Sequence, residues 1–199
     1  MSSRAPRYAA LAACSLAPVA NAAVLEYFSF AAWSTAPGTT FLGTDNLASY
    51  SGFHGGAWPG TVGSVSWIAD SNFGSTVMSS YAAAPMTFTF TSPSGIGGFG
   101  GNLFVAYINF AAAPRTLSVD VTLADSTVVS FSRVNPLATD FWGFRSTGAE
   151  ITSVTLSSTS EFPTVGNLSF LSAASAVPLP GAAGLAALGL AGRAGRRRR

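Results

Sequence analysis

Few side chains in this sequence could carry acid–base, thiolate or metal chemistry. There is one histidine, His54, and one cysteine, Cys14. A multi-histidine zinc site therefore lacks its ligands. A serine nucleophile would need His54 as its base, and no G-x-S-x-G turn is present to hold that serine. We therefore interpret His54 as a loop residue without a catalytic role, and we expect a protein that is not an enzyme.

Carboxylates are the remaining candidates for catalysis. Glu150 and Glu161 bracket one predicted strand, and Asp125 and Asp140 fall at predicted turns. A glycosidase-like pair among them is conceivable, so a secreted carbohydrate-active hydrolase using Asp and Glu is the alternative function. Turn stabilisation explains such residues more simply.

A structural calcium ion held by loop oxygens is a further alternative, although no D-x-[DN]-x-[DN]-G run occurs. We expect no other cofactor, and we assign no residues as metal ligands.

Residues 95–100 match the pattern G-x-G-x-x-G literally. In a dinucleotide site those glycines lie between a strand and the N-terminus of a helix. Here a predicted strand, residues 103–110, follows them. We therefore interpret the glycines as a loop that enters a sheet.

Aromatic side chains offer a binding function, because exposed rings can stack on the faces of sugars. Trp67 and Trp142 lie within predicted strands and are expected in the core. Trp58 lies in a segment rich in Gly and Pro, residues 51–60, and is our candidate for a ligand contact.

The elements that must position these residues are strands. Between residues 24 and 175 no long stretch has apolar residues recurring every 3.6 positions, as an amphipathic helix would. Short segments in which β-branched and aromatic residues alternate with polar ones are frequent. The clearest is a hairpin over residues 116–134, with its turn at 124–126. Other predicted strands cover residues 25–30, 64–68, 86–91, 103–110, 140–145, 151–157 and 167–171, and residues 30–36 could form a short helix. About eight strands predict an all-β fold, an antiparallel β-sandwich with a jelly roll as one form of it, over residues 23–176.

Charge is distributed unevenly along the 199 residues. Only 9% are charged, and all ten basic residues are Arg, seven of them near the two ends. All eight acidic residues lie between, with three arginines, so the central part carries three minus eight, or −5. Nucleic-acid binding needs clustered cations on the fold itself, so we expect no nucleic-acid partner.

The first 22 residues have the features of a signal peptide. Two arginines precede an apolar run, and the A-x-A site at residues 20–22 predicts cleavage between Ala22 and Ala23 by signal peptidase after export. A lipoprotein leader that ends at Cys14 is the competing interpretation, and it would give a lipid-anchored envelope protein. It would leave an apolar core of only about six residues, short of the usual 7 to 15.

The last 23 residues form three consecutive parts. The motif consists of Val177, Pro178, Leu179 and Pro180. An apolar segment at 181–192 follows; as a helix it would reach roughly 18 Å, short of a ~30 Å hydrocarbon core. The basic cluster consists of Arg193, Arg196, Arg197, Arg198 and Arg199. By the positive-inside rule these arginines act as a membrane stop on the cytoplasmic side.

This tail resembles the PEP-CTERM sorting signal of Gram-negative bacteria, in its VPLPA-like variant. Leu179 stands where the commoner form has Glu, and Gly181 stands where the variant usually has Ala. The resemblance implies that an exosortase-like membrane protease recognises the tail, with the short transmembrane helix as a transient sorting handle. The segments 98–102, 141–144 and 165–170 also resemble β-sandwich domains that often precede such tails.

These observations predict an exported protein of the cell surface or extracellular matrix. Its expected partners are the export machinery, signal peptidase and an exosortase. We expect the sandwich to be structural matrix material or a module that binds exopolysaccharide.

Overall fold

The computed structural model describes residues 23–74 and 76–173. The predicted signal peptide and the sorting tail lie outside these residues. Within them, 57% are in strands and 3% in helix, so the prediction of an all-β fold is confirmed. In this part of the chain, no helix has the length and apolar character needed to cross a membrane.

The described residues contain thirteen strands and one short helix, whereas the sequence predicted about eight strands. In chain order they are β1 (Val24–Tyr27), α1 (Phe30–Ser34), β2 (Phe41–Asp45), β3 (Gly52–Val62), β4 (Val65–Gly74), β5 (Met78–Ser79), β6 (Met86–Thr91), β7 (Ile96–Ala106), β8 (Thr116–Leu123), β9 (Val128–Val134), β10 (Phe141–Ser146), β11 (Ile151–Ser157), β12 (Phe162–Val165) and β13 (Leu168–Ser172).

The strands form two antiparallel sheets that share β7. Sheet A has the order β1-β10-β7-β13-β2. Sheet B runs β9-β8-β11-β6-β4, and from β4 it continues both to β3 and through β5 and β12 to the second half of β7. Every pairing is antiparallel, as the predicted sandwich requires.

Aromatic rings from the two sheets meet in the core. Phe99 of sheet A lies 5.8 Å from Phe88 and 5.4 Å from Phe90 of sheet B, measured between ring centroids. Farther along, Phe144 of β10 lies 4.9 Å from Phe131 of β9. Such tilted ring contacts add to the free energy gained by burying the rings. The predicted core positions of Trp67 and Trp142 are confirmed, with exposures of 1% and 0%.

The interpretation of residues 95–100 as a loop is wrong, because β7 begins at Ile96 and runs through the glycines. The cause is crowding between neighbouring strands. A Cβ on Gly100 would lie 2.7 Å from the ring of Phe141, and one on Gly98 would lie 2.8 Å from the side chain of Leu171. The glycines allow close approach within a sheet.

The short helix expected near residue 30 is present and lies on the outer face of sheet A. Ser29 caps it, and its hydroxyl accepts a hydrogen bond from the N–H of Ala32 at 3.5 Å. Trp33 is fully buried, and its Nε1 donates to the carbonyl of Phe144 at 3.1 Å. Gly143 makes room for the helix, since a Cβ there would lie 2.8 Å from Trp33 Cδ1.

Strand β1 follows the predicted cleavage site directly. The N–H of Ala23 donates to Thr147 Oγ1 at 3.3 Å, and the N–H of Thr147 donates to the carbonyl of Ala23 at 2.9 Å. From Val24 onward, β1 pairs with β10 as an edge strand. The residue that is predicted to follow the cut is therefore hydrogen-bonded to the sandwich.

Candidate functional site

A large open cleft lies where an edge of sheet A meets an edge of sheet B. Among the described strands, β2 pairs only with β13, and β3 pairs only with β4. Between them opens a cavity of about 960 Å³, which we call the edge cleft. Its lining residues are Leu42, Gly43, Thr44, Asp45, Asn46, Ser49, Tyr50, Pro59, Gly60, Thr61, Val62, Gly63, Ser66, Trp67 and Ile68.

The loop after β2 shapes one wall of the edge cleft through side-chain hydrogen bonds. Asp45 Oδ1 accepts from the N–H of Leu47 at 2.8 Å, and Asn46 Oδ1 accepts from the N–H of Ala48 at 3.1 Å. Leu47 is fully buried and has a positive φ of 59°. These Asx-type bonds and the buried leucine fix the loop against the sandwich.

Tyr50 ends this loop and joins it to the sheet. Its hydroxyl donates to Asp45 Oδ2 at 3.3 Å, and its ring lies 5.3 Å from Trp67. Burial, and after it the charge of the Asp45 carboxylate, raises the pKa of Tyr50 above its ordinary value of 10.0. At neutral pH the hydroxyl is therefore a donor held in place by a carboxylate.

Trp67 lines the base of the edge cleft beside Gly60. It is 1% exposed, and among the described residues no group accepts a hydrogen bond from its Nε1. A Cβ on residue 60 would overlap the indole ring and the Tyr50 hydroxyl, so glycine is required where the cleft approaches this donor. A buried donor without a protein acceptor is a position where an ordered water is expected.

The predicted loop position of Trp58 is wrong. Trp58 lies in β3, paired with Ala69 of β4, and is only 9% exposed. Its ring makes an edge contact with Tyr50 at 5.8 Å. Pro59 is tolerated beside it because β3 is an edge strand. Trp58 therefore packs behind a cleft residue, and it offers little surface of its own to a ligand.

A second cavity of about 340 Å³ lies on the outer face of sheet A, and we call it the outer pocket. It is lined by Phe30, Thr44, Asn102, Thr139, Phe141, Asn167 and Ser169. Phe30 is 42% exposed, and its ring lies edge-on to those of Phe41 and Phe141, 5.5 Å from each. The outer pocket thus combines aromatic faces with amides and hydroxyls.

A third surface is mainly apolar. Phe53, Phe73, Tyr81 and Phe110 form a chain of ring contacts with centroid distances of 5.3 to 6.5 Å. The cavity beside them measures about 130 Å³ and is lined by Phe73, Tyr107, Ile108, Phe110 and Phe162. It supplies ring faces but few hydrogen-bonding groups, so it suits a polyhydroxylated ligand less well than the edge cleft or the outer pocket.

Comparison with protein-family models and with curated proteins found no match. The chemistry of the site therefore has to be judged from its own residues.

Three of the four carboxylates considered for catalysis have separate settings. Asp140 lies 2.6 Å from the guanidinium of Arg133, and Glu161 lies 3.8 Å from that of Arg115. Asp125 lies in the β8–β9 turn, where the hydrogen bond from the N–H of Thr127, 3.0 Å long, lowers the pKa of Asp125. Within residues 23–74 and 76–173, no three His, Cys, Asp or Glu side chains group as a metal site would require.

Ala23 does not line the edge cleft and directly precedes β1. Ala22, the sorting motif and the arginine cluster lie outside the described residues. Sequence reasoning missed Asp45, Tyr50 and Thr44. The Asp-Asn pair at 45–46 was a usable turn signal, but nothing local indicated that the loop would face Gly60 and Trp67.

Proposed function

We propose that this protein is exported, sorted through its C-terminal tail to the cell surface or extracellular matrix, and there binds polysaccharide without a chemical step. The edge cleft is the proposed binding site. The exported β-sandwich presents it, and the tail directs delivery.

The observation that carries the binding proposal is the composition of the edge cleft. Hydroxyls of Ser49, Thr61 and Ser66 and the amide of Asn46 surround it, with Ile68 as a 51% exposed apolar contact. Neutral polar groups beside apolar surface suit a ligand with many hydroxyls and apolar ring faces.

The charge of the sandwich favours neutral polysaccharides over acidic ones. Residues 23–173 contain eight acidic residues and three arginines, a balance of −5. Asp45 is the charged side chain that lines the edge cleft. An anionic polymer would approach a surface of its own sign, which slows association and lowers affinity at low salt.

Export and sorting rest on the two termini. The leader ends in an A-x-A site directly before β1, and the tail joins Pro178 and Pro180 to an apolar segment and five arginines. A folded domain between a leader and such a tail would be delivered outside, while the arginines stay on the cytoplasmic side until an exosortase acts.

Binding is tested with the secreted protein on a panel of soluble glucans, galactomannan and alginate. Thr61→Arg places a long side chain in the edge cleft, whereas Thr116→Arg makes the same change at an exposed residue of β8 that does not line the cleft. We expect the wild type and Thr116→Arg to bind a neutral polymer and Thr61→Arg to bind at least tenfold less well, a loss of about 1.4 kcal/mol. Equal binding by all three proteins would remove the cleft from the proposal.

The same panel tests the absence of a chemical step. Reducing ends are measured after prolonged incubation with the wild type and with a variant that carries Asp140→Asn, Glu150→Gln and Glu161→Gln. We expect neither protein to release new reducing ends. Hydrolysis by the wild type that the triple variant lacks would establish the carbohydrate-active hydrolase instead.

Export and sorting need separate measurements. Intact-mass analysis of the secreted protein should show a start at Ala23; a lipid-modified start at Cys14 would contradict the leader assignment.

The tail is tested with two variants, one with neutral residues at Arg196–Arg199 and one with Pro178→Ala and Pro180→Ala. Each is expressed in hosts with and without an exosortase, and the cells are fractionated to locate the protein. We expect release independent of the protease in the first and blocked cleavage in the second. Identical delivery throughout would contradict a sorting role.

A further inference from the structure

The outer pocket and the edge cleft adjoin each other. Thr44 lines both cavities. It is exposed on β2, and its hydroxyl shares a hydrogen bond of 2.7 Å with that of Ser169 on β13. A ligand lying over this hydroxyl pair would therefore touch both cavities.

The combined surface is elongated. Phe141, Asn102, Ser169 and Thr44 belong to β10, β7, β13 and β2, which are successive strands of sheet A. Three steps between strands separate the first from the last, roughly 14 Å at ~4.8 Å per step. Beyond Thr44 the edge cleft continues to β3 and β4. This surface is therefore longer than a single sugar ring.

The amides of the outer pocket are held in fixed orientations. The N–H of Asn102 donates to Asn167 Oδ1 at 3.0 Å, Asn167 Nδ2 donates to Asn102 Oδ1, and Asn102 Nδ2 donates to the carbonyl of Asp140 at 3.2 Å. Each amide nitrogen carries a second hydrogen and each oxygen a second lone pair. Donors and acceptors are thus oriented before a ligand arrives, which lowers the entropic cost of binding.

The aromatic side of the outer pocket suits the apolar face of a sugar ring. Phe30 is 42% exposed and is supported from two sides by Phe41 and Phe141. Trp33, one turn along the helix, lies 5.4 Å from Phe141 and is fully buried, so the platform rests on the sheet. The residues that line the outer pocket are uncharged, which favours a neutral ligand.

From this geometry we infer that the outer pocket is a second subsite for the polysaccharide that occupies the edge cleft, so that one neutral chain lies across Thr44 and contacts both cavities. The inference rests on the proposed function and specifies its ligand: an internal stretch of a neutral polymer. Phe30 stacks on one sugar unit, and Asn102 and Asn167 bind its hydroxyls.

The test uses a length series of oligosaccharides from the neutral polymer that the wild type binds. The quantity compared is the ratio of affinities for the longest and the shortest oligosaccharide that binds, measured by calorimetry on the full secreted protein. Because both affinities come from one preparation, the ratio does not depend on the fraction that is folded. We expect the wild-type affinity to rise with chain length and then level off, so that the ratio is well above one.

Two variants separate the subsites. Phe30→Ala removes the stacking face, and Thr44→Arg blocks the junction, with Thr116→Arg as the matched control. We expect Phe30→Ala to lower the ratio by about threefold to tenfold, the range of one aromatic contact, and to leave the shortest ligand unaffected. Thr44→Arg should abolish the length dependence, and Thr116→Arg should change nothing.

The outcomes distinguish the two proposals. Suppose that Thr61→Arg abolishes binding. If the wild-type affinity is then the same for long and short oligosaccharides, or if Phe30→Ala and Thr44→Arg leave the affinity ratio unchanged, the subsite is wrong and the proposed function stands. If the wild type binds no polysaccharide on the panel, the proposed function itself is wrong and the subsite is overturned with it.

Discussion

The indole Nε1 of Trp142 donates a hydrogen bond of 2.6 Å to Glu26 Oε1 and so ties the first strand to the core. Trp142 is fully buried in β10, and Glu26 belongs to the neighbouring edge strand β1. Glu26→Ala should lower the free energy of unfolding by about 1–3 kcal/mol, because the indole donor loses its acceptor. Glu26→Gln keeps an acceptor and should cost less. Urea unfolding measures both, and equal losses would contradict this role of the hydrogen bond.

Gly143 should not tolerate even a methyl group. Its Cβ would lie 2.7 Å from the ring of Phe141 and 2.8 Å from Trp33 Cδ1. Gly143→Ala should therefore cost about 1–3 kcal/mol of stability through overpacking. Gly166→Ala is the milder comparison and should cost less, since its nearest neighbour, Asn102 Cβ, is 3.3 Å away and has to shift by only a few tenths of an ångström. The prediction fails if both variants melt at the wild-type temperature.

The β8–β9 turn can be improved by one substitution. Ser126 has a φ of 67°, and its N–H donates to the carbonyl of Leu123 at 2.9 Å. This is the left-handed position that glycine prefers in three-residue hairpin loops. Ser126→Gly should raise the melting temperature, gaining up to about 1 kcal/mol. A lower melting temperature would show that the hydroxyl matters more than the backbone conformation.

Tyr50 should make the sandwich less stable at alkaline pH. Its pKa in the folded protein is raised above 10.0, mainly by burial and then by the Asp45 carboxylate. The unfolded chain therefore releases the phenol proton at lower pH than the folded chain. The stabilisation is present below pH 10.0 and is lost as the pH rises from there through the folded pKa.

Tyr50→Phe is the matched variant for this prediction. It should remove a tyrosinate that forms above pH 10.0 in an alkaline ultraviolet titration, and it should flatten the fall in stability above that pH. An unchanged titration curve would contradict the raised pKa of Tyr50.

Some elements of the sandwich could be predicted because their signal is local. The β8–β9 hairpin follows from strict alternation, and β6 was predicted with its observed bounds, Met86–Thr91. Both present one face to the core and the other to solvent. The helix near residue 30 also carried a local signal, its run of Phe, Ala and Trp.

Other strands were missed or misread because tertiary contacts determine them. Strand β3 contains four glycines and a proline, which resemble a loop until β4 pairs with it. The glycines of β7 lie in a strand because β10 and β13 pair with it on its two sides. They are glycines because these neighbours leave no room for a Cβ. The outer pocket gathers Phe30, Asn102 and Asn167 from distant segments, so no spacing in the sequence could indicate it.

Under the proposed export, the hydrogen bonds between Ala23 and Thr147 set the order of cleavage and folding. Once they form, the peptide bond that signal peptidase is predicted to cut lies one residue from a paired strand. A protease needs several residues on each side of that bond in an extended, accessible form. Cleavage should therefore come before β1 docks on β10, while the emerging chain is still unfolded. A precursor that folded first would retain its leader and stay attached to the membrane.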